Sequence, residues 1–219
     1  LIVSFFFGQF KFFWNYEKKI LRRMKLMPPA SANIAIFASG KGSNAEKIIQ
    51  YFENHRNINI KLVVCNKPGA GVLDIAAKNG IPTVMLEKKN FYETEEYVQE
   101  LVNHNITHIV LAGFLWKIPV NMVKTFPGHI INIHPALLPN YGGKGMFGEN
   151  VHKAVLEAGD SESGITIHLV DEEYDHGKTI FQSNVAVLPS DTPDSLAEKI
   201  HALEHQHYPR QIEKWINKH

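Results

Sequence analysis

Cysteine is nearly absent from this chain of 219 residues. The single one, Cys65, lies inside the apolar run Ile60, Leu62, Val63, Val64, which excludes a disulfide framework and a multi-cysteine metal site. Such usage fits a reducing, cytosolic setting. Cys65 itself reads as a buried strand residue and not a nucleophile, because no electropositive neighbour is at hand to favour its thiolate. An excess of one charge is missing too: 23 Lys and Arg stand against 22 Asp and Glu, a formal net charge of +1. That balance supplies no positive field of the kind that holds a nucleic-acid backbone, so nucleic acid is not an expected partner. Beyond the first thirty or so residues there is no internal repeat and no low-complexity tract.

The first segment, residues 1–30, differs from everything after it. Phe5, Phe6, Phe7, Phe10, Phe12, Phe13 and Trp14 run into the basic patch Lys18, Lys19, Arg22, Arg23 and Lys25. The apolar part is too short to span a bilayer, and its charges follow instead of preceding it, so it is a poor secretory signal. It reads as a leader, disordered or non-native, with a membrane-surface anchor as the alternative. Residues 31–219 are the expected single domain, long enough to bury a substantial core.

Within that domain, short apolar runs alternate with helical patterns. Asn33 to Ala38 is β-favouring and ends in Ser39-Gly40-Lys41-Gly42-Ser43-Asn44, after which Ile48, Ile49 and Phe52 are spaced along one helix face. The alternation continues through Ile60 to Val64, a helix over Leu73 to Lys78, Thr83 to Leu86, and a helix through Tyr97, Leu101 and Val102. Strands separated by helices imply parallel pairing with right-handed crossovers. Two further apolar runs, Ile109 to Ala112 and Ile130 to Ile133, end in polar or glycine residues where an open parallel sheet places its ligands. Residues 141–148 hold four glycines and no apolar period, and read as a mobile loop. Ile165 to Val170 and Thr179 to Val187 alternate like two strands joined by an acidic connection. A last helix is expected from about Pro193 to Ile216, with Asp191-Thr192-Pro193-Asp194 as its cap and first turn. The expected fold class is therefore α/β: a Rossmann-like open sheet, mostly parallel, with an antiparallel C-terminal strand pair and helices on both faces.

The glycine loop formally satisfies a dinucleotide pattern, G-x-G-x-x-A, over Gly40 to Ala45. A dinucleotide fold needs an acidic residue at the end of the second strand, and Cys65-Asn66-Lys67 stands there. A simpler use fits better. Free amides at the helix start, with the Ser43 hydroxyl and the Asn44 amide, bind one phosphate through oriented donors and the helix dipole. The bland alternative is a tight turn whose glycines serve backbone angles alone.

Ile131-Asn132-Ile133-His134-Pro135-Ala136-Leu137-Leu138-Pro139 is the most specific segment. Asn132 and His134 are two apart, so in an extended chain both side chains share a face. Formyl transfer suits such a pair. As an amine attacks the formyl carbon, charge grows on its oxygen; an Asn132 N–H stabilises that charge while His134 donates a hydrogen bond or a proton. The leaving nitrogen is aniline-like and must be protonated on the way. A proton-donating His134 predicts a rate that falls at high pH, with an apparent pKa near or above that of free histidine. Asp175 is the candidate third member, orienting His134 or a water and collecting the amine's proton; alone, Asp175-His176-Gly177 reads as an ordinary turn.

These segments, with Leu111-Ala112-Gly113-Phe114-Leu115 and Gly164-Ile165-Thr166-Ile167-His168, resemble the phosphoribosylglycinamide formyltransferase family, from about Asn33 to Trp215. The resemblance implies transfer of a formyl group from 10-formyltetrahydrofolate to the amine of 5'-phosphoribosylglycinamide in purine biosynthesis, with no tightly bound cofactor. It implies Asn132, His134 and Asp175 as the catalytic trio. It places the substrate phosphate at Gly42, Ser43 and Asn44, and the glycinamide amine at Glu204. The folate would lie against Phe114, Leu115, Trp116, Lys117, Ile118 and Asn132, and the loop Asp171, Glu172, Glu173, Tyr174. It also implies a cis Leu138-Pro139 bond, a cytoplasmic location, a monomer or weak homodimer, and no membrane partner. Two departures stand out. Trp116 occupies the column of a usual arginine, with Lys117 beside it, and the longer glycine loop replaces paired histidines, leaving His152 in register.

Rivals share the trio. Transfer RNA formyltransferases carry a further C-terminal domain for the RNA, and formyltetrahydrofolate hydrolases an N-terminal regulatory domain. From another class, His201, His205 and His207 on the last helix would offer a metal site, since the first two are one turn apart; a solvated histidine face is the plainer reading.

Overall fold

The computed structural model describes residues 31–218 and, ahead of them, Glu17, Ile20 and Leu21. The reading of residues 1–30 as a leader falls otherwise outside the described residues. The chain divides into two units, Leu1–Ser31 and Ala32–His219, and the second carries the sheet and the helices that cover it.

Apolar β-favouring runs become β1 (Ala32–Ala38), β2 (Ile58–Cys65), β3 (Thr83–Met85), β4 (His108–Leu111) and β5 (Ile130–His134). All pair in parallel, and β6 (Glu162–Leu169) and β7 (Thr179–Ala186) then add antiparallel. The seven-stranded order is β3-β2-β1-β4-β5-β6-β7. Connection direction reverses between β1 and β4, the place where an open sheet of this kind opens a crevice at its carboxyl edge.

Seven helices among the described residues cover the sheet: α1 (Ser43–Phe52), α2 (Gly71–Lys78), α3 (Lys88–Glu93), α4 (Glu96–Asn103), α5 (Val120–Thr125), α6 (Glu149–Ala158) and α7 (Pro193–Lys218). On one face Ile34, Ile36, Val63 and Ile131 pack with Ile48 and Phe52 of α1, Val72 of α2, Val155 of α6 and Ile200, Tyr208 and Ile212 of α7. On the other, Phe37, Leu62, Ile109 and Ile130 meet Phe91 of α3, Leu101 of α4 and Met122 of α5. Both faces are buried, so the central strands read as continuous apolar runs. Each fully buried Ile or Leu contributes roughly 1.5–3 kcal/mol.

Three helices appear where the periodicity predicts none. α3 and α5 are six residues each, too short for an apolar period to declare itself. α6 buries His152 beside Val151 and Val155, so a polar residue takes an inward position. At α7 the cap is as expected: Ser195 N–H donates to Thr192 Oγ1 at 3.2 Å and Ser195 Oγ donates to Asp191 at 2.8 Å. Cys65 is fully buried and forms no disulfide. No helix among the described residues is long and apolar enough to cross a membrane.

Candidate active site

The alternation along β5 sends Ile131 and Ile133 into the layer shared with α7, and Asn132 and His134 to the opposite face, where both line a cleft at the carboxyl edge of the sheet. Antiparallel register sets His168 of β6 directly across from Asn132, and Thr166 across from His134. Asn132 Nδ2 lies 3.1 Å from His168 Nε2. His168 Nδ1 is 2.8 Å from the Leu169 carbonyl, which can only accept, so Nδ1 carries the hydrogen and Nε2 accepts from Asn132. One Asn132 N–H is thereby committed and the other is left for a ligand.

Asp175 stands between the two imidazoles. Its Oδ2 is 3.6 Å from His134 Nδ1 and its Oδ1 is 3.6 Å from His168 Nε2, ion-pair distances instead of hydrogen bonds. The Gly143 N–H donates to Oδ2 at 2.9 Å. Burial pushes the Asp175 carboxyl up, but a protonated His168 ring, the charge of His134 and the Gly143 amide together hold it below the usual carboxylate range. The turn that presents it is tight: Asp175 has φ 53°, and a Cβ on Gly177 would stand 1.9 Å from the Leu169 carbonyl oxygen.

His134 is 3 % exposed. Its Nε2 donates to the Tyr141 carbonyl at 2.8 Å, so a neutral ring presents a bare Nδ1 to Asp175 and a charged ring presents an N–H. Burial lowers its pKa from 6.5, opposed by Asp175 and the Tyr141 carbonyl. This corrects the expectation of an ordinary or raised value: desolvation of the imidazolium outweighs its counter-ion.

The chain beyond His134 is held from below. Thr166 Oγ1 donates to the Ala136 carbonyl at 2.7 Å and accepts from Leu138 N–H at 2.9 Å. Gln182 on β7 donates to both the Leu138 carbonyl, at 2.8 Å, and Thr166 Oγ1, at 2.9 Å. The Leu138-Pro139 bond is cis.

At the other end of the cleft the glycine loop enters α1 through Gly42 at φ 84°, where a Cβ would stand 2.8 Å from Val72 Cα. Only glycine fits both the backbone angle and the close approach of α2. Asn44 Nδ2 donates to Glu204 Oε2 at 2.8 Å, while Asn44 Oδ1 is buried without a partner among the described residues. Glu204 is 6 % exposed, and burial pushes its carboxyl up to about 7 against the lowering effect of the Asn44 bond.

The cleft measures about 840 Å³ and gathers Gly42, Ser43, Asn44, Asn132, His134, Asp175 and Glu204. Its outer wall carries Phe114, Leu115, Trp116, Lys117 and Ile118. Phe114 stacks edge-on against Phe37 at 5.3 Å, and Trp116 lies 5.7 Å from Phe91, so both are seated by the core below. Asp171, Glu173 and Tyr174 close the rim, with Lys117 Nζ 5.4 Å above the Tyr174 ring. Glu172 is exposed and does not line the cleft. Asp171 is engaged locally, accepting from Glu173 N–H and facing His176 Nδ1, each at 2.9 Å.

His168, Thr166 and Gln182 were not among the residues expected in the site. The signal was present: Thr166 and His168 are polar residues at alternate positions of the stretch Ile165 to Leu169, whose other members are apolar. The histidines of α7 do not converge, for His207 packs on Phe181, and among the described residues no group of three or more His, Cys, Asp or Glu gathers as metal ligands would.

Sheet order and cleft define the class: a Rossmann-like α/β protein whose polar constellation lies at the carboxyl edge of its strands. The chain belongs to the formyl transferase family, whose model matches residues 32–212. Residues 1–28 match a family of unknown function. It is 43% identical over 186 residues to the chloroplastic phosphoribosylglycinamide formyltransferase of Arabidopsis thaliana, covering 82% of this chain and 64% of that protein. It is 36% identical over 210 residues to the trifunctional purine biosynthetic protein adenosine-3 of Drosophila melanogaster, covering 93% of this chain and 15% of that one. The chain thus spans less than two thirds of these curated relatives. Among solved structures, phosphoribosylglycinamide formyltransferase from Bacillus halodurans superposes with a TM-score of 0.77 at 35% identity, over 85% of this chain and 96% of that one. The corresponding Anaplasma phagocytophilum structure gives 0.78 at 34%, over 85% and 87%.

Proposed function

We propose that this chain transfers the formyl group of 10-formyltetrahydrofolate to the amine of 5'-phosphoribosylglycinamide, giving formylglycinamide ribonucleotide and tetrahydrofolate. The observation that carries this reading is the joining, in one cleft, of the Asn132, His134, His168 and Asp175 cluster to the glycine loop backed by Glu204. Neither half alone distinguishes a group-transfer enzyme from a nucleotide-binding module. The relatives, phosphoribosylglycinamide formyltransferases by name, support the same acceptor and the same transferred group.

In this reading the ribonucleotide phosphate sits on the amides of Gly42, Ser43 and Asn44, at the positive end of α1. Glu204 faces the glycinamide amine, and the folate lies along Phe114 to Ile118 with its ring toward the Asp171 to Asp175 loop. Attack of the amine on the formyl carbon forms a tetrahedral species. Its oxyanion receives the free Asn132 N–H and a hydrogen bond or proton from His134, which must exchange one of its present contacts to donate it. The proton lost by the amine returns to the departing folate nitrogen through these groups and water. Asp175, held below the ordinary carboxylate range, suits the work of a counter-ion to imidazolium better than that of a proton store. The cytosol, a reducing compartment, suits the lone buried thiol of Cys65.

The test is an absorbance assay for tetrahydrofolate release, with and without 5'-phosphoribosylglycinamide. Turnover is expected only with the acceptor. Equal release in its absence would assign the chain to hydrolysis of the formyl donor and overturn the reading.

A further inference from the structure

Three consecutive residues hold both members of the His134 and Asp175 pair. The Tyr141 carbonyl accepts from His134 Nε2 at 2.8 Å, and the Gly143 N–H donates to Asp175 Oδ2 at 2.9 Å. Between them, a Cβ on Gly142 would stand 2.7 Å from Leu138 Cδ2 and 3.4 Å from Asp175 Cβ, so the segment is closely fitted to the pair it serves. Tyr141 has φ 56°, a left-handed angle that a bulky side chain adopts only where its surroundings enforce it. Its ring packs on the core layer that includes Val155 of α6, and its phenol donates to Asp160 Oδ2 at 2.6 Å. Tyr141 is not among the residues lining the cleft, so its side chain acts on the site only through the backbone it carries. Asp160 is a fixed point. Just past α6, Gly159 takes a left-handed φ of 70°, its N–H donates to the Leu156 carbonyl at 3.1 Å, and the Asp160 N–H reaches back to the Val155 carbonyl at 3.4 Å. That paired closure stops the helix and sets Asp160 on its end. The hydrogen bond to Asp160 holds the Tyr141 phenol above its usual pKa of 10.0, so it stays a donor through the neutral range.

We propose that Tyr141, anchored through its phenol to Asp160, is a positioning residue that fixes the ring tautomer of His134 and its spacing from Asp175. The contacts run from the end of α6 through Asp160 and the Tyr141 phenol to the Tyr141 carbonyl, and so to His134. With Nε2–H bound to that carbonyl, a neutral ring has its bare nitrogen at Nδ1, facing Asp175 across 3.6 Å. Of the two contacts the ring makes, the shorter stays, and the longer is the one given up when His134 serves the formyl oxygen. Without the anchor, Tyr141 relaxes from its left-handed angle and its carbonyl turns away from Nε2. The ring hydrogen then passes to Nδ1, where the Asp175 carboxylate accepts it. The effect on catalysis rests on the formyl transfer proposed above; the effect on the tautomer does not.

The experiment reads the His134 ring and the reaction separately. Long-range nitrogen–proton NMR spectra of the intact, ligand-free protein near pH 7.5 are expected to show a single His134 tautomer, bare at Nδ1, its signals assigned by their loss in His134→Gln. In Tyr141→Phe and in Asp160→Ala the bare nitrogen is expected to become Nε2 in part of the population. The kcat of formyl transfer is expected to fall about tenfold to a hundredfold in both, with KM for both substrates unchanged. The double variant falls no further, because the two substitutions remove one bond. Asp160→Asn keeps an oxygen for the phenol and should lose less than Asp160→Ala. Tyr51→Phe is the control: it removes a phenol–carboxylate bond of the same kind, to Glu213 at 2.5 Å, and is expected to leave tautomer and kcat unchanged. A His134 tautomer unchanged in both Tyr141→Phe and Asp160→Ala, or a kcat in them no lower than that of Tyr51→Phe, would overturn the proposal. If the unsubstituted protein transfers no formyl group, the function proposed above falls, and the ring signals alone decide the positioning.

Discussion

A carboxyl group kept out of water, as Glu204 is, holds its proton to higher pH than the unfolded chain would. Between the ordinary value of 4.5 and the folded value of about 7, the native protein retains a proton that the unfolded chain has lost, so stability falls as pH rises through that window. That displacement corresponds to about 3 kcal/mol as an upper bound. Glu204→Gln should therefore flatten the difference in urea midpoint between pH 5 and pH 8; an unchanged slope would locate the titrating group elsewhere. His134 gives a second prediction. Since burial sets it below 6.5, kcat/KM that depends on its protonated form should fall as pH rises through a value under 6.5, and a profile flat to pH 9 would leave it a hydrogen-bonding role alone. Asn132→Asp exchanges the amide donor for a second carboxylate near Asp175. A loss of about 10²–10³ in kcat is expected, with ribonucleotide binding by calorimetry retained.

At the scale of elements, the strands were plain from apolar runs, and β5 with its paired Asn132 and His134 was plain from two-residue spacing. Three things were not. α6 hides its period because His152 takes an inward position, which packing alone would assign to an apolar residue. His168 enters the site through register, which pairs it with a residue 36 positions away and is set by the β6 hairpin as a whole. The support under the Pro135 to Pro139 turn comes from Thr166 and Gln182, one on each strand of that hairpin. Thr166→Val removes bonds to Ala136, Leu138 and Gln182 at a buried position, a cost of about 1–3 kcal/mol, expected as a lower urea midpoint at constant m. Gly42→Ala, with a left-handed angle and α2 in the way, should lower the melting temperature and raise KM for the phosphorylated substrate while leaving folate binding intact.

For the molecule as a whole, the parallel half of the sheet carries the glycine loop and the antiparallel addition carries His168 and the Asp175 turn, so the cleft joins two sheet regions of different construction. A ligand bridging them stabilises the folded chain by mass action, by about 2.7 kcal/mol at a hundred times Kd. For a domain of this size that is a rise of roughly 5–11 °C in melting temperature. Saturating ribonucleotide should give such a shift and its dephosphorylated counterpart a much smaller one. The fold class was legible because alternation of strands and helices constrains topology strongly; the cleft's full membership was not, because it is assembled from residues far apart along the chain. The bond between Asn44 and Glu204 spans 160 positions. During synthesis, then, a ribosome that has already released the glycine loop still has most of the protein to make before that amide meets its carboxyl partner, and any nascent fragment ending short of α7 leaves the tunnel without the wall that backs the phosphate loop.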